Sequence, residues 1–207
     1  MLTNEWKLKL RKKDGEPTIP FDLAGHQAKS ITKILKNDFA DYFTDTVQMF
    51  GNDKRIGEYT ADFFNKKYNI LFVHDEDCKT LNDFTNRYKR RIENFRKLLN
   101  GDTPLLFVYN ARKDLTDNVD TAEEIAELKS IIMSKVKNKN SRFIVITPYP
   151  LDIKDTSIYW AKRPTPDYNW WVPHHRRTFK GVMYERGIMD FILSETKAMV
   201  KQDKQSK

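Results

Sequence analysis

The sequence predicts an α/β fold, a layered domain with a short, mostly parallel sheet and flanking helices. Three apolar runs, Asn69–His74, Leu105–Tyr109 and Arg142–Thr147, have the length and the continuous apolar centres of strands buried on both faces. Each follows a segment of helical periodicity, and a helix–strand alternation repeated along a chain is the pattern of parallel strands joined by right-handed crossovers. With 207 residues, 39% of them hydrophobic, the chain can build one substantial core.

The first helix is expected over Gln27–Phe43, where Ile31, Ile34, Leu35, Phe39 and Phe43 recur at helical spacing. The first strand then ends in His74-Asp75-Glu76-Asp77-Cys78. A second helix over Thr80–Leu99 is the best defined element, because Leu81, Phe84, Tyr88, Ile92, Phe95 and Leu99 form a stripe at intervals of three and four. Thr80 is placed to cap it with Asp83 in the first turn, and Gly101 to take the left-handed position after its end. Its other face carries Arg87, Arg90, Arg91, Asn94 and Lys97. A third helix over Thr121–Val136 sets Ile125, Leu128, Ile131, Ile132 and Val136 on one side.

After Thr147 the pattern loosens, because prolines at 148, 150, 164, 166 and 173 preclude a long helix. A strand over Ser157–Arg163, a covering Pro/aromatic-rich segment over 148–183, a terminal helix over Tyr184–Val200 and a frayed polar tail over 201–207 are expected. No internal repeat or linker is visible, so residues 1–207 read as a single domain. Leu71, Val73, Leu106, Val108, Ile144 and Ile146 are the expected core of the parallel sheet.

Lys and Arg outnumber Asp and Glu by 37 to 29, a net charge of +8, which favours anionic partners. The single cysteine, Cys78, excludes an intrachain disulfide framework and fits a reducing compartment. No stretch has the length of a signal-peptide core or a membrane span. The expected setting is cytoplasmic and soluble, with no membrane partner.

In open α/β sheets ligands gather outside the carboxyl ends of strands, which directs attention to His74 and Asp75. An imidazole beside a carboxylate is the pair general base catalysis needs, although neighbouring strand residues face opposite ways and a structural role reads equally well. Cys78 stands near the start of the basic helix, where the helix dipole can lower a thiol pKa, and free cysteine is also a common buried hydrophobe. Arg90 and Arg91 form a candidate anion site; the alternatives are a solvated helix face or ion pairs to the Asp75-Glu76-Asp77 run. His174-His175 lacks the ligand spacing of a metal centre, so no metal is expected. Gly-rich phosphate loops, dinucleotide fingerprints, Gly-x-Ser-x-Gly elbows and kinase signatures are absent, and no cofactor is called for.

Several dispersed segments together resemble a bacterial and viral family of papain-like cysteine peptidases. They are Pro20-Phe21-Asp22-Leu23, Ile34-Leu35-Lys36-Asn37-Asp38-Phe39 with Tyr42-Phe43, Phe72-Val73-His74-Asp75, Tyr88-Lys89-Arg90-Arg91-Ile92-Glu93-Asn94-Phe95 and Leu105-Leu106-Phe107-Val108. The resemblance implies an α/β domain in which His74, Asp75, Asp22, Arg90 and Arg91 line one site. It also implies a cysteine upstream of the Pro-Phe-Asp motif, at a place that here falls on Thr3-Asn4. Cys78 does not occupy that place, so the resemblance implies a chain that starts inside the family domain or one that lacks the nucleophile. The leading expectation is a member of this family, truncated at its start or catalytically inactive, with a site built around His74 and Asp75 that takes an anionic small molecule, a glycan or a peptide. The alternatives are a transferase-like or binding module for an anionic sugar, nucleotide or glycan, and a nucleic-acid binder recognised by steep salt dependence.

Overall fold

The computed structural model describes residues 18–22, 24–56, 59–73, 75, 77–111, 119–165 and 177–205. Among them the chain forms β1 (Ala24–Gly25), α1 (Ala28–Lys36), β2 (Thr46–Gln48), β3 (Arg55–Ile56), β4 (Tyr59–Thr60), β5 (Phe63–Asn65) and β6 (Ile70–Phe72). There follow α2 (Leu81–Leu99), β7 (Leu106–Asn110), α3 (Ala122–Lys135), β8 (Arg142–Thr147), β9 (Ser157–Trp160) and α4 (Phe179–Gln205). The fold is α/β, as expected, and its parallel sheet is β7-β8-β9, with Leu106 opposite Arg142 and Thr147 opposite Trp160.

The first expected strand belongs elsewhere. β6 lies in a four-stranded antiparallel sheet of order β1-β6-β5-β2, so the three apolar runs do not share one parallel sheet. Only residues 66–69 separate β5 from β6, and a parallel pairing needs a crossover of about a dozen residues or more. Asn69 closes this turn at φ 52°, a left-handed conformation that asparagine tolerates. Asn65, fully buried, locks the hairpin: its amide donates to Tyr42 O, Thr44 O and Thr46 Oγ1, and its carbonyl accepts from Tyr68 N.

α1 stops at Lys36, well before Phe43, because Asp38 and Phe39 turn left-handed at φ 50° and 64°. Phe39 and Tyr42 are buried all the same, through turns. α2 begins as expected, with a capping box in which Asp83 N donates to Thr80 Oγ1 at 3.1 Å and Thr80 N to Asp83 Oδ2 at 3.0 Å. Its end differs. Gly101 is not left-handed; Asn100 closes the helix, with its side-chain amide donating to Arg96 O at 2.8 Å.

One buried cluster unites α1, α2, α3, β5 and β6 with the inner face of the parallel sheet, through Ile34, Phe63, Phe72, Phe84, Ile125, Leu128, Phe143 and Val145. On the opposite face Ile144 and Ile146 meet Ile188, Met189 and Ile192 of α4. Successive strand residues thus serve two layers. Leu71, Ile144 and Ile146 are buried as expected. Leu106 and Val73 are only half-buried, and Val108 is 41% exposed, because it stands on the edge strand β7 outside the cluster that α4 seals. α4 begins at Phe179 and continues through Gln205, into the expected tail. Among the described residues, no helix is long and apolar enough to cross a membrane.

Candidate functional site

The site forms where the chain leaves β6 and meets α2. Asp75 is fully buried there and accepts three side-chain hydrogen bonds: Arg87 Nη1 at 3.0 Å, Arg91 Nη1 at 3.4 Å and Tyr88 Oη at 2.9 Å. Arg87 and Arg91 stand one helical turn apart, the spacing that lets two side chains reach one acceptor. Arg91 falls within the apolar stripe of α2, between Tyr88 and Phe95, so helical geometry draws a charge into the core. Its guanidinium lies 4.4 Å from the centre of the Tyr88 ring, a cation–π arrangement.

The two arginines differ in what they have left to offer. Arg87 bridges Asp75 and the exposed Asp77, with Nη1 2.7 Å from Asp77 Oδ1, and this contact draws the Asp77 pKa down to about 2. Arg91 is 8% exposed, and its one hydrogen bond among the described residues is the long contact to Asp75.

The Pro20–Asp22 loop packs on the same part of α2. Asn94 Nδ2 donates to Thr18 O at 3.2 Å, and the Phe21 ring sits 5.5 Å from Phe95, 5.8 Å from Phe39 and 5.1 Å from His26. Asp22 accepts from Ile19 N at 2.9 Å. The residue as a whole is exposed, yet its carboxyl is desolvated, which raises its pKa against the opposing effects of the Ile19 N–H and of Arg91. Tyr42 completes the cluster. It is buried, its ring centre is 6.0 Å from Tyr88, its hydroxyl is 3.4 Å from His26 Nε2, and it lies in the fields of Arg91 and Asp75.

Of the residues expected to form the site, Asp22, Asp75 and Arg91 converge. Arg90 does not: it is exposed on α2 and pairs with no carboxylate among the described residues, because one step along a helix turns a side chain about 100° away. Cys78 is 5% exposed, and its N–H donates to Asp75 O at 2.9 Å. Burial pushes its thiol pKa up, Arg87 opposes, and Asp75, Asp77 and Asp83 add to the rise. His74 lies outside the described residues, as does His174-His175. No group of three or more potential metal ligands occurs among the described residues.

Sequence reasoning passed over Arg87, Tyr88, Tyr42 and His26. The signal for Arg87 was its spacing of four from Arg91 on a helix facing an acidic run. Nothing in the local sequence marked His26, which comes to the cluster only through long-range packing on Phe21 and Phe72.

No curated protein and no solved structure matches the chain. A family model does: the family described as "Putative papain-like cysteine peptidase (DUF1796)" matches residues 5–148, more than half of the chain. The matched span contains the Pro20–Asp22 loop, β6, α2 and every residue of the Asp75–Arg91 cluster, and the chain belongs to this family.

Proposed function

We propose that this chain is a binding member of its family, in which Arg91 holds an anionic group of a small-molecule, glycan or peptide ligand and Cys78 plays no part as a nucleophile. The observation that carries the reading is the state of Arg91. A guanidinium offers five N–H donors, and among the described residues this one, stacked on Tyr88 where three separated family segments meet, spends one of them, on a long bond. Planar donors left over in a partly dry site suit a carboxylate or a similar oxyanion. Arg87 is less suited, since its fork is occupied by Asp75 and Asp77.

Calorimetric titration with sulfate and with acetate tests this. The native chain should bind saturably, Arg91→Gln should weaken binding about tenfold or more, the loss of about 1.4 kcal/mol or more, and Arg90→Gln should bind as the native chain does. Equal binding by Arg91→Gln, or no binding by the native chain, overturns the proposal. Steep weakening with salt in all three proteins, matched by binding to single-stranded DNA, would favour a nucleic-acid surface instead.

A further inference from the structure

Resting on Arg91 as the anion-holding group of the site, we propose that the ligand is a zwitterion of the amino-acid class, whose carboxylate meets Arg91 while its ammonium group meets Asp22.

The Thr18–Asp22 loop sets a carboxylate beside the guanidinium. Asn94 and Phe95, which hold the loop through Thr18 O and the Phe21 ring, stand three and four residues after Arg91, so the loop lies over the same side of α2 one turn along. Two reciprocal bonds, Ile19 N to Asp22 Oδ2 at 2.9 Å and Asp22 N to Ile19 O at 3.4 Å, fix where that carboxylate stands. Asp22 is near enough for the charge of Arg91 to act on it, yet among the described residues the two form no ion pair: Arg91 reaches Asp75 instead, and Asp22 Oδ1 accepts no hydrogen bond. A carboxylate and a guanidinium held in one site without pairing suit a ligand that carries a group of each opposite sign.

The balance of charge favours such a ligand over a plain anion. Two guanidiniums, Arg87 and Arg91, face three carboxylates, Asp75, Asp77 and Asp22. A plain anion adds a negative charge to a cluster that already has one in excess, whereas a zwitterion adds none. Loss of hydration raises the Asp22 pKa in spite of the Ile19 N–H and of Arg91, so the charge of Asp22 is not fully met within the fold. An ammonium at Oδ1 supplies the missing partner. Asp22 is exposed as a residue and Arg91 is 8% exposed, so the carboxylate of the ligand is the deeper of its two groups. Asp22 thereby acts against ligands that lack the amine as well as for those that carry it, and such a repulsive element is a source of specificity.

Calorimetric titration of the full chain at pH 7.5 compares glycine, β-alanine and γ-aminobutyrate with propionate, butyrate and pentanoate, in which a methyl group replaces each ammonium. In the native chain at least one zwitterion should bind about fivefold or more tightly than its methyl counterpart, the scale of one unit-charge contact in water. Asp22→Asn, which keeps a side-chain carbonyl to accept from Ile19 N, should remove that preference and strengthen binding of the plain carboxylates. Arg91→Gln should weaken both kinds of ligand, and Arg90→Gln should behave as the native chain. Equal binding within all three pairs, a preference that survives Asp22→Asn, or weaker binding of plain carboxylates by Asp22→Asn overturns the proposal and leaves the Arg91 site standing. Binding of no member of the series by the native chain, or binding untouched by Arg91→Gln, overturns the Arg91 site and the zwitterion with it.

Discussion

Replacing Asp75 with alanine removes the acceptor of three side-chain hydrogen bonds at a position with no solvent exposure. Arg87 retains Asp77 and is the less affected partner. Arg91, 8% exposed, loses the one carboxylate it touches among the described residues, and breaking a buried charge pair from one side costs about 3–5 kcal/mol because the remaining charge stays desolvated. Asp75→Asn keeps an acceptor for Tyr88 or Arg87 and loses the charge, so it should cost about 1–3 kcal/mol. Urea denaturation at pH 7, with the slope compared as well as the midpoint, measures both variants. Arg91→Met, which removes the charge that would be stranded, should make Asp75→Ala less costly than in the native background by about 1 kcal/mol or more. A loss below about 1 kcal/mol for Asp75→Ala, or strict additivity with Arg91→Met, would mean that Asp75 does not neutralise a buried guanidinium.

Asp22→Asn should raise the thermal midpoint at pH 7: the folded pKa of Asp22 is raised, so its contribution to stability is fully present below the ordinary value of 3.8 and is lost as pH rises through the folded value. The gain should vanish below pH 3.8, where both residues are neutral, and a variant less stable at pH 7 would contradict the sign. A Cβ at Gly187 would overlap the Tyr159 hydroxyl and come 3.3 Å from its ring carbon Cζ, so Gly187→Ala should destabilise the seating of α4 on β9 by about 1–3 kcal/mol. Tyr159→Phe should recover most of that loss; a stabilised Gly187→Ala would show that the contact yields. Ile144→Ala, at a fully buried position, should cost about 2–5 kcal/mol, against less than about 1 kcal/mol for the exposed Val108→Ala, both by urea denaturation.

The long elements were legible because their periodicity is local. α2 and α3 carry capping boxes at Thr80 and Thr121 and clean stripes, and β8 is an unbroken apolar run served by two layers. The antiparallel sheet was not legible, since β2, β5 and β6 are three residues each, too short for alternation to show, and their pairing is fixed by Asn65 and a left-handed Asn69 rather than by pattern. The extent of α1 was misread because turns can bury Phe39 and Tyr42 at the same spacing a helix would. At the site, sequence located the end of β6 and the basic helix, and family motifs marked Asp22, Asp75 and Arg91. Choosing Arg91 over Arg90, and finding His26 and Tyr42, required the rotation of α2 about its axis and the packing of the Phe21 loop, neither of which any local window encodes.

The proposed binding role and a peptidase role through the chain's own cysteine differ in what they require of Cys78, which is 5% exposed. Native-state alkylation by iodoacetamide at pH 7.5, followed by mass spectrometry and compared with the chain in urea, tests that difference directly. Labelling of the folded chain should be slow, limited by opening, and fast once the chain is unfolded, because burial both covers the thiol and raises its pKa. Rapid stoichiometric labelling of folded chain, faster than that of the unfolded thiol, would contradict the binding role.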